Sequence, residues 1–195
     1  LQDTLQFKLA RLLATHFERN TEMKIDVVAV GKVKEKFFRD AISEYSKRLG
    51  AYTTLKITEV EDEKTPENAS DVQNEQIKAK EAERLMRVIN HTKNTNETIA
   101  HGPGTDTMII TLEINGKSYT SEGFAEQIAD LTNHGVSHLI FVIGGSLGLH
   151  ETITSLSDLK LSFSQMTFPH QLMRVVLLEQ IYRAFRINRG EPYHK

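Results

Sequence analysis

The chain contains no cysteine, which excludes a disulfide-stapled scaffold, a thiolate zinc centre and a cysteine nucleophile together. A chain without thiols fits a reducing compartment, and a cytoplasmic protein is the reading adopted. No apolar run reaches the roughly 18 residues that a membrane span requires, so a soluble chain with no membrane partner is expected. Charge of one sign is lacking too. The 24 Lys and Arg stand against 26 Asp and Glu, a formal net charge of −2, whereas domains that hold nucleic acid by bulk electrostatics are usually strongly basic. The histidines show no metal-ligand spacing, so no metal is expected.

What is present is ordinary globular material. A chain of 195 residues with 39% hydrophobic and 26% charged residues has room for one domain with a sizeable core. Residues 1–22 place Leu5, Leu9, Leu12, Leu13 and Phe17 at helical spacing, yet they precede the first convincing strand. They are read as an N-terminal extension or leader outside the fold, with the domain at 23–195.

From Met23 the pattern alternates. Met23 to Val30 is a nearly continuous β-branched run, suited to a strand buried on both faces. A helix follows over 34–49, with Gly50 as its C′ residue. Leu55 to Val60 is a second strand, and Ser70 with Gln73 is a capping-box signature for a helix over 71–89. Residues 90–106 read as a loop and Thr107 to Ile114 as a strand ending in a turn at Asn115-Gly116. Ser121 caps a helix to Asn133, and Leu139 to Ile143 is a further buried strand. Strands alternating with helices give an α/β fold, a parallel sheet covered by helices on both faces. Ligands in such sheets bind beyond the carboxyl ends of the strands, which selects Leu112-Glu113, Ile143-Gly144 and the loop after Leu161.

That last third of the chain holds the residues that suit chemistry. Gly144-Gly145-Ser146-Leu147-Gly148 lets a ligand approach the backbone closely, but it lacks the Gly-Lys-Ser/Thr ending of a P-loop and the dinucleotide spacing; a tight strand-to-helix turn accounts for it equally well. Pro169 suits the start of a helix and puts His170 and Arg174 at i and i+4 near its positive pole. Two basic groups there make sense beside an anion such as RNA phosphate, or as surface residues whose cost is small. Six basic residues (Lys160, Arg174, Arg183, Arg186, Arg189, Lys195) against Glu179 and Glu191 make either a basic patch or a solvated face. Beyond Arg174 the helix is apolar nearly all round, as a central core helix or a dimer interface would be. Glu179 and Arg183 are read as a structural pair. Tyr193-His194-Lys195 reads either as a frayed end or as a stacking tyrosine with a proton-accepting His194.

Taken together, Gly144-Gly145-Ser146-x-Gly148-x-His150, Leu161-Ser162-x-Ser164-x-Met166-Thr167-x-Pro169-His170, the Arg174-Val175 to Tyr182-Arg183-Ala184 helix and Pro192-Tyr193-His194 closely resemble the RlmH family. Its members are 23S ribosomal RNA pseudouridine-N3 methyltransferases of the SPOUT class. The likeness runs from Met23 to Lys195 and includes Ala29-Val30-Gly31-Lys32. It implies a SPOUT-type sheet with a C-terminal trefoil knot, a homodimer, and S-adenosylmethionine as methyl donor. By position, Leu112, Gly144, Phe163, Ser164, Gln165, Met166, Thr167 and Phe168 would hold the donor. His170, Arg174, Tyr193 and His194 would face 23S rRNA in the ribosome, the terminal residues placed across the dimer interface. The reaction implied is methylation of N3 of a pseudouridine in helix 69, with His170 or His194 taking the proton and Arg174 anchoring phosphate or a base carbonyl. Another SPOUT RNA methyltransferase and a non-catalytic dimeric RNA-binding protein are the alternatives. Leader 1–22 and the long loop at 91–106 depart from the family pattern.

Overall fold

The structure, a computed structural model, describes residues 23–94 and 106–193. The leader, His194 and most of the expected 90–106 loop lie outside the described residues. Five strands, β1 (Lys24–Val30), β2 (Thr54–Val60), β3 (Thr107–Ser118), β4 (His138–Ile143) and β5 (Leu159–Ser162), form one sheet in the order β2-β1-β4-β3-β5, with every neighbouring pair parallel. The α/β expectation holds for the physical reason first given. β4 is the central strand and β1 one of the two that flank it, and both faces of each are buried and must be apolar.

Alternation divides them between two cores. Ile25, Val27, Ala29, Leu139, Phe141 and Ile143 point to one face, beneath α1 (Lys36–Leu49), α3 (Ser121–Asn133) and α5 (His170–Asn188). Val28, Val30, Ile140 and Val142 point to the other, beneath α2 (Asp71–Asn94) and α4 (Glu151–Thr154). Each such side chain, fully buried, contributes about 1.5–3 kcal/mol. The polar exception in β1, Asp26, is buried but lies 2.7 Å from Nε2 of the equally buried His138 on β4.

The capping box forms as read. The Ser70 N–H donates to Gln73 Oε1 at 2.9 Å and the Gln73 N–H donates to Ser70 Oγ at 3.3 Å, so two helix-end donors are satisfied reciprocally. Four details differ from the expectation. Helix α2 runs on to Asn94. Gly50 stays right-handed, with φ −58°, because the helix end is closed by backbone bonds that need no left-handed residue. Thr120 rather than Ser121 caps α3, its Oγ1 accepting from the Gly123 N–H at 3.0 Å, while the Ser121 hydroxyl donates to Gln180 on α5.

The fourth concerns Asn115-Gly116, which is no turn. β3 pairs Ile110 to Leu112 with Leu159 to Leu161, bulges, and then pairs Lys117 and Ser118 with Leu161 and Ser162. A Cβ on Gly116 would sit 2.7 Å from the Leu161 carbonyl carbon and the Lys160 oxygen. Glycine is needed there for close backbone approach rather than for turning. Finally, α5 packs between α1 and α3 over the sheet, burying Leu177, Leu178, Ile181, Ala184 and Phe185. Its nearly continuous apolar circumference is that of a central core helix.

Candidate active site

Beyond the carboxyl ends of β4 and β5 lies a cavity of ≈ 610 Å³. Its walls are Leu112-Glu113-Ile114 at the bulge within β3, the glycine loop 144–148, and the segment from Phe163 to His170, with Met173 closing one side. The glycine loop folds tightly on itself: a Cβ on Gly144 would lie 2.7 Å from the Gly148 carbonyl carbon. Gly145 in turn rests on the buried carboxylate of Glu81, only 2.8 Å from where its Cβ would be. Burial pushes the Glu81 carboxyl above the usual range, and the Glu63 N–H that it accepts at 3.0 Å partly offsets this. The opposite wall is pinned through Ser162, whose hydroxyl reaches the Ile114 carbonyl at 2.8 Å, and Ser164, whose Oγ accepts the Met166 N–H at 3.0 Å.

The polar chemistry of this cavity is sparse. Among the described residues that line it, Glu113 and His170 are the titratable ones, and no lysine or arginine is present. Glu113 accepts the Thr111 hydroxyl at 2.5 Å. His170, half-buried at the first turn of α5, lies against Gly31: a Cβ on that glycine would be 3.0 Å from His170 Nε2. Burial lowers the imidazole pKa, and the nearby Arg174 guanidinium lowers it further; Asp62 pulls the other way, and Lys34 adds to the depression. The ring is therefore neutral near pH 7 and able to accept a proton.

Arg174 occupies a different place from the one expected. It is 1% exposed, so it presents no guanidinium to a surface ligand. Nη1 donates to Glu59 Oε1 at 2.6 Å, and Nη2 donates to the carbonyls of Val30 and Gly31 at 2.6 and 2.5 Å. The same Glu59 oxygen accepts the Val33 N–H at 3.1 Å. Arg174 thus ties the start of α5 to the ends of β1 and β2 and to the loop between β1 and α1. The expectation of an RNA anchor is corrected by this burial: the partners of Arg174 lie inside the chain.

Tyr193 is likewise committed. Its hydroxyl donates to Glu179 Oε1 at 3.2 Å, and its ring meets Tyr182 edge-on at 5.0 Å with the Arg183 guanidinium 4.8 Å from its centre. Burial, then the Glu179 charge and Tyr45, push its phenol up to about 12. Glu179 and Arg183 pair at 2.6 Å, as the structural reading had it. Glu179 lies on the order of 13 Å along the helix from His170, at 1.5 Å per residue.

Of the residues singled out in the sequence, the cavity brings together Leu112, Gly144, Phe163, Ser164, Met166, Thr167, Phe168 and His170. Gln165 is exposed and off the wall, Arg174 stands behind it, and Tyr193 lies further along α5. Met173 was missed, although its i+3 spacing from His170 signals the same face. Glu59 was missed because nothing local to it points to a partner 115 residues away.

A family model described as "Predicted SPOUT methyltransferase" matches residues 23–194. A ribosomal RNA large subunit methyltransferase H from Bifidobacterium adolescentis is 58% identical over 173 residues, 89% of this chain and 100% of that protein. One from Bifidobacterium animalis subsp. lactis is 54% identical over the same shares. Among solved structures, the SpoU methyltransferase AviRb from Streptomyces viridochromogenes in complex with AdoMet matches with a TM-score of 0.44 at 12% identity, covering 89% of this chain and 62% of that one; the assignment rests on the sequence matches. With a family match along the whole described domain and relatives identical at more than half their positions, the chain belongs to the SPOUT methyltransferase family, among the ribosomal RNA large subunit methyltransferase H proteins.

Proposed function

We propose that the protein methylates N3 of a pseudouridine in helix 69 of 23S rRNA on assembled ribosomes, with S-adenosylmethionine as donor. The observation that carries this reading is the lining of the cavity. A pocket of ≈ 610 Å³ with apolar walls, one carboxylate and no lysine or arginine among its described lining residues suits a phosphate-free ligand of positive charge. It does not suit a polyphosphate cofactor, which would require cations or a P-loop. The residues therefore fit the donor that the family uses. Leu112, Gly144 and the segment Phe163 to Phe168 would hold it largely through backbone and apolar contact, and Glu113 would face its positive charge. Bound there, S-adenosylmethionine supplies the methyl group.

His170 then has the proton-transfer role. Its neutral imidazole on the cavity wall accepts the N3 proton of a base that enters beside it, a contribution of about 10²–10⁴-fold. Holding base and donor in line supplies much of the remaining rate. The active unit is a homodimer. Ile114 (48% exposed), Met166 (72%) and Phe168 (39%) leave apolar surface at the cavity rim, which a second copy would cover.

Two measurements test the reading. Calorimetry should show S-adenosylmethionine binding that Gly144→Ala weakens at least tenfold, because the added methyl forces the loop open. Mass spectrometry of rRNA from cells lacking the protein should show loss of methyl on that one pseudouridine. Loss at a different nucleotide would move the substrate to another RNA site, and absence of donor binding would leave a non-catalytic RNA-binding protein.

A further inference from the structure

With Arg174 turned inward, the cavity has no cation of its own for an RNA backbone. The loop between β1 and α1 supplies them. Lys32, Lys34, Lys36 and Arg39 fall within one short stretch whose acid within that span is Glu35. Lys36 is paired with Asp40 at 2.5 Å, and Arg39 donates to the carbonyls of Val33 and Lys34, so it braces the loop. Lys32 and Lys34 are exposed and have no ion-pair partner among the described residues. Beside them Phe37 is 64% exposed although it touches Phe38. Helix α1 begins here with no acidic residue in its first turn and no side-chain cap. Lysines at that pole oppose the helix dipole, offset in part by Glu35 at the N-cap and by the Lys36–Asp40 pair.

The loop is held against the active site. The Lys34 N–H donates to Gln171 Oε1 at 3.0 Å, the residue after His170, and Gly31 lies against the His170 ring. Val33 is fixed by Glu59, the partner of Arg174. The neighbouring loop carries the exposed acids Glu61 and Asp62, with Asp62 close to Gly31, so the cations available to an RNA backbone here are the lysines of the β1–α1 loop.

We propose that Lys32, Lys34 and Phe37 form an RNA-docking lane that delivers the target base to His170. The two lysines take successive backbone phosphates and Phe37 stacks on an unpaired base flanking the target. This rests on the RNA-methyltransferase reading above.

The test uses the full chain and intact ribosomes that lack the methyl group. Ribosome binding is measured across a series of salt concentrations for wild type, Lys32→Gln/Lys34→Gln, Phe37→Ala and Phe37→Leu, with donor affinity measured separately by calorimetry. The lysine pair should flatten the log–log salt slope by about 1.4. Phe37→Ala should weaken binding about tenfold or more, and Phe37→Leu, which keeps the apolar bulk but loses the ring, should weaken it comparably. Donor affinity should be unchanged in all three. Variants that bind ribosomes with wild-type affinity and slope overturn the lane while the methyltransferase reading stands. A wild-type chain that binds donor but no ribosome overturns both.

Discussion

Helix α5 carries arginine–carboxylate pairs at both ends, and the two ends differ in what the pairs do. At the first turns Arg174 is 1% exposed and spends its donors on Glu59 and two strand-end carbonyls. Toward the other end Arg183 and Arg186 keep 24% and 23% of their side-chain exposure and pair with Glu179 and Glu191. There they lie against rings of Tyr182 and Tyr193. Burial decides the outcome. Only the arginines differ in burial, since Glu59 keeps 33% of its side-chain exposure. A buried guanidinium in fixed geometry is a strut whose removal strands the two carbonyls it serves, whereas partly exposed arginines among aromatic rings form an adjustable surface of small individual terms. The strut sits beneath the candidate cavity and the adjustable surface beneath Tyr193.

The comparison breaks or sharpens on four variants. Arg174→Ala should cost the most, about 1–3 kcal/mol for each of the two buried carbonyls it leaves without a donor, read from urea denaturation; a loss below about 1 kcal/mol would make the two ends equivalent. His170→Asn should slow methyl transfer by on the order of 10²-fold while donor affinity holds. Because burial depresses the His170 pKa, the wild-type rate should stay level near neutrality and fall only as pH drops below about 6.5. The sign for stability is the same: the unfolded chain binds that proton more readily, so His170 weakens the fold as pH falls through that region. An acid limb centred above 6.5 would assign the proton to another group.

At the soft end, Tyr193→Phe removes the hydroxyl that bonds Glu179 and Tyr45 and should cost about 1–2 kcal/mol. In an alkaline absorbance titration it should also remove the phenol that titrates near 12. Smallest of all, Asp40→Ala on the exposed Lys36 pair should move stability by less than about 0.5 kcal/mol. A larger change there would mean that exposure is not what separates the classes.

Much of the fold could be read from local pattern, because burial on both faces writes itself directly into β1 and β4 as nearly continuous apolar runs. The capping box was legible for the same reason, its signal being local, whereas the segment Phe163 to Phe168 was assigned through the family resemblance of its motif. Arg174 was misread since spacing places it one turn beyond His170 and says nothing of Glu59, brought near only by strand pairing. Asn115-Gly116 has the composition of a hairpin turn, yet the glycine serves a neighbouring strand that lies some 45 residues further on.

That double meeting of β3 with β5 also bears on synthesis. β5 is the partner of β3, and it is made about fifty residues later; until it emerges, Met108 to Leu112 present an apolar strand with one open edge. Pairing between segments so far apart folds slowly, and open apolar edges invite association with other chains. The nascent protein is thus most exposed to aggregation in the interval before its last strand and α5 arrive, and the residues that finish the active site are the same ones that close the sheet.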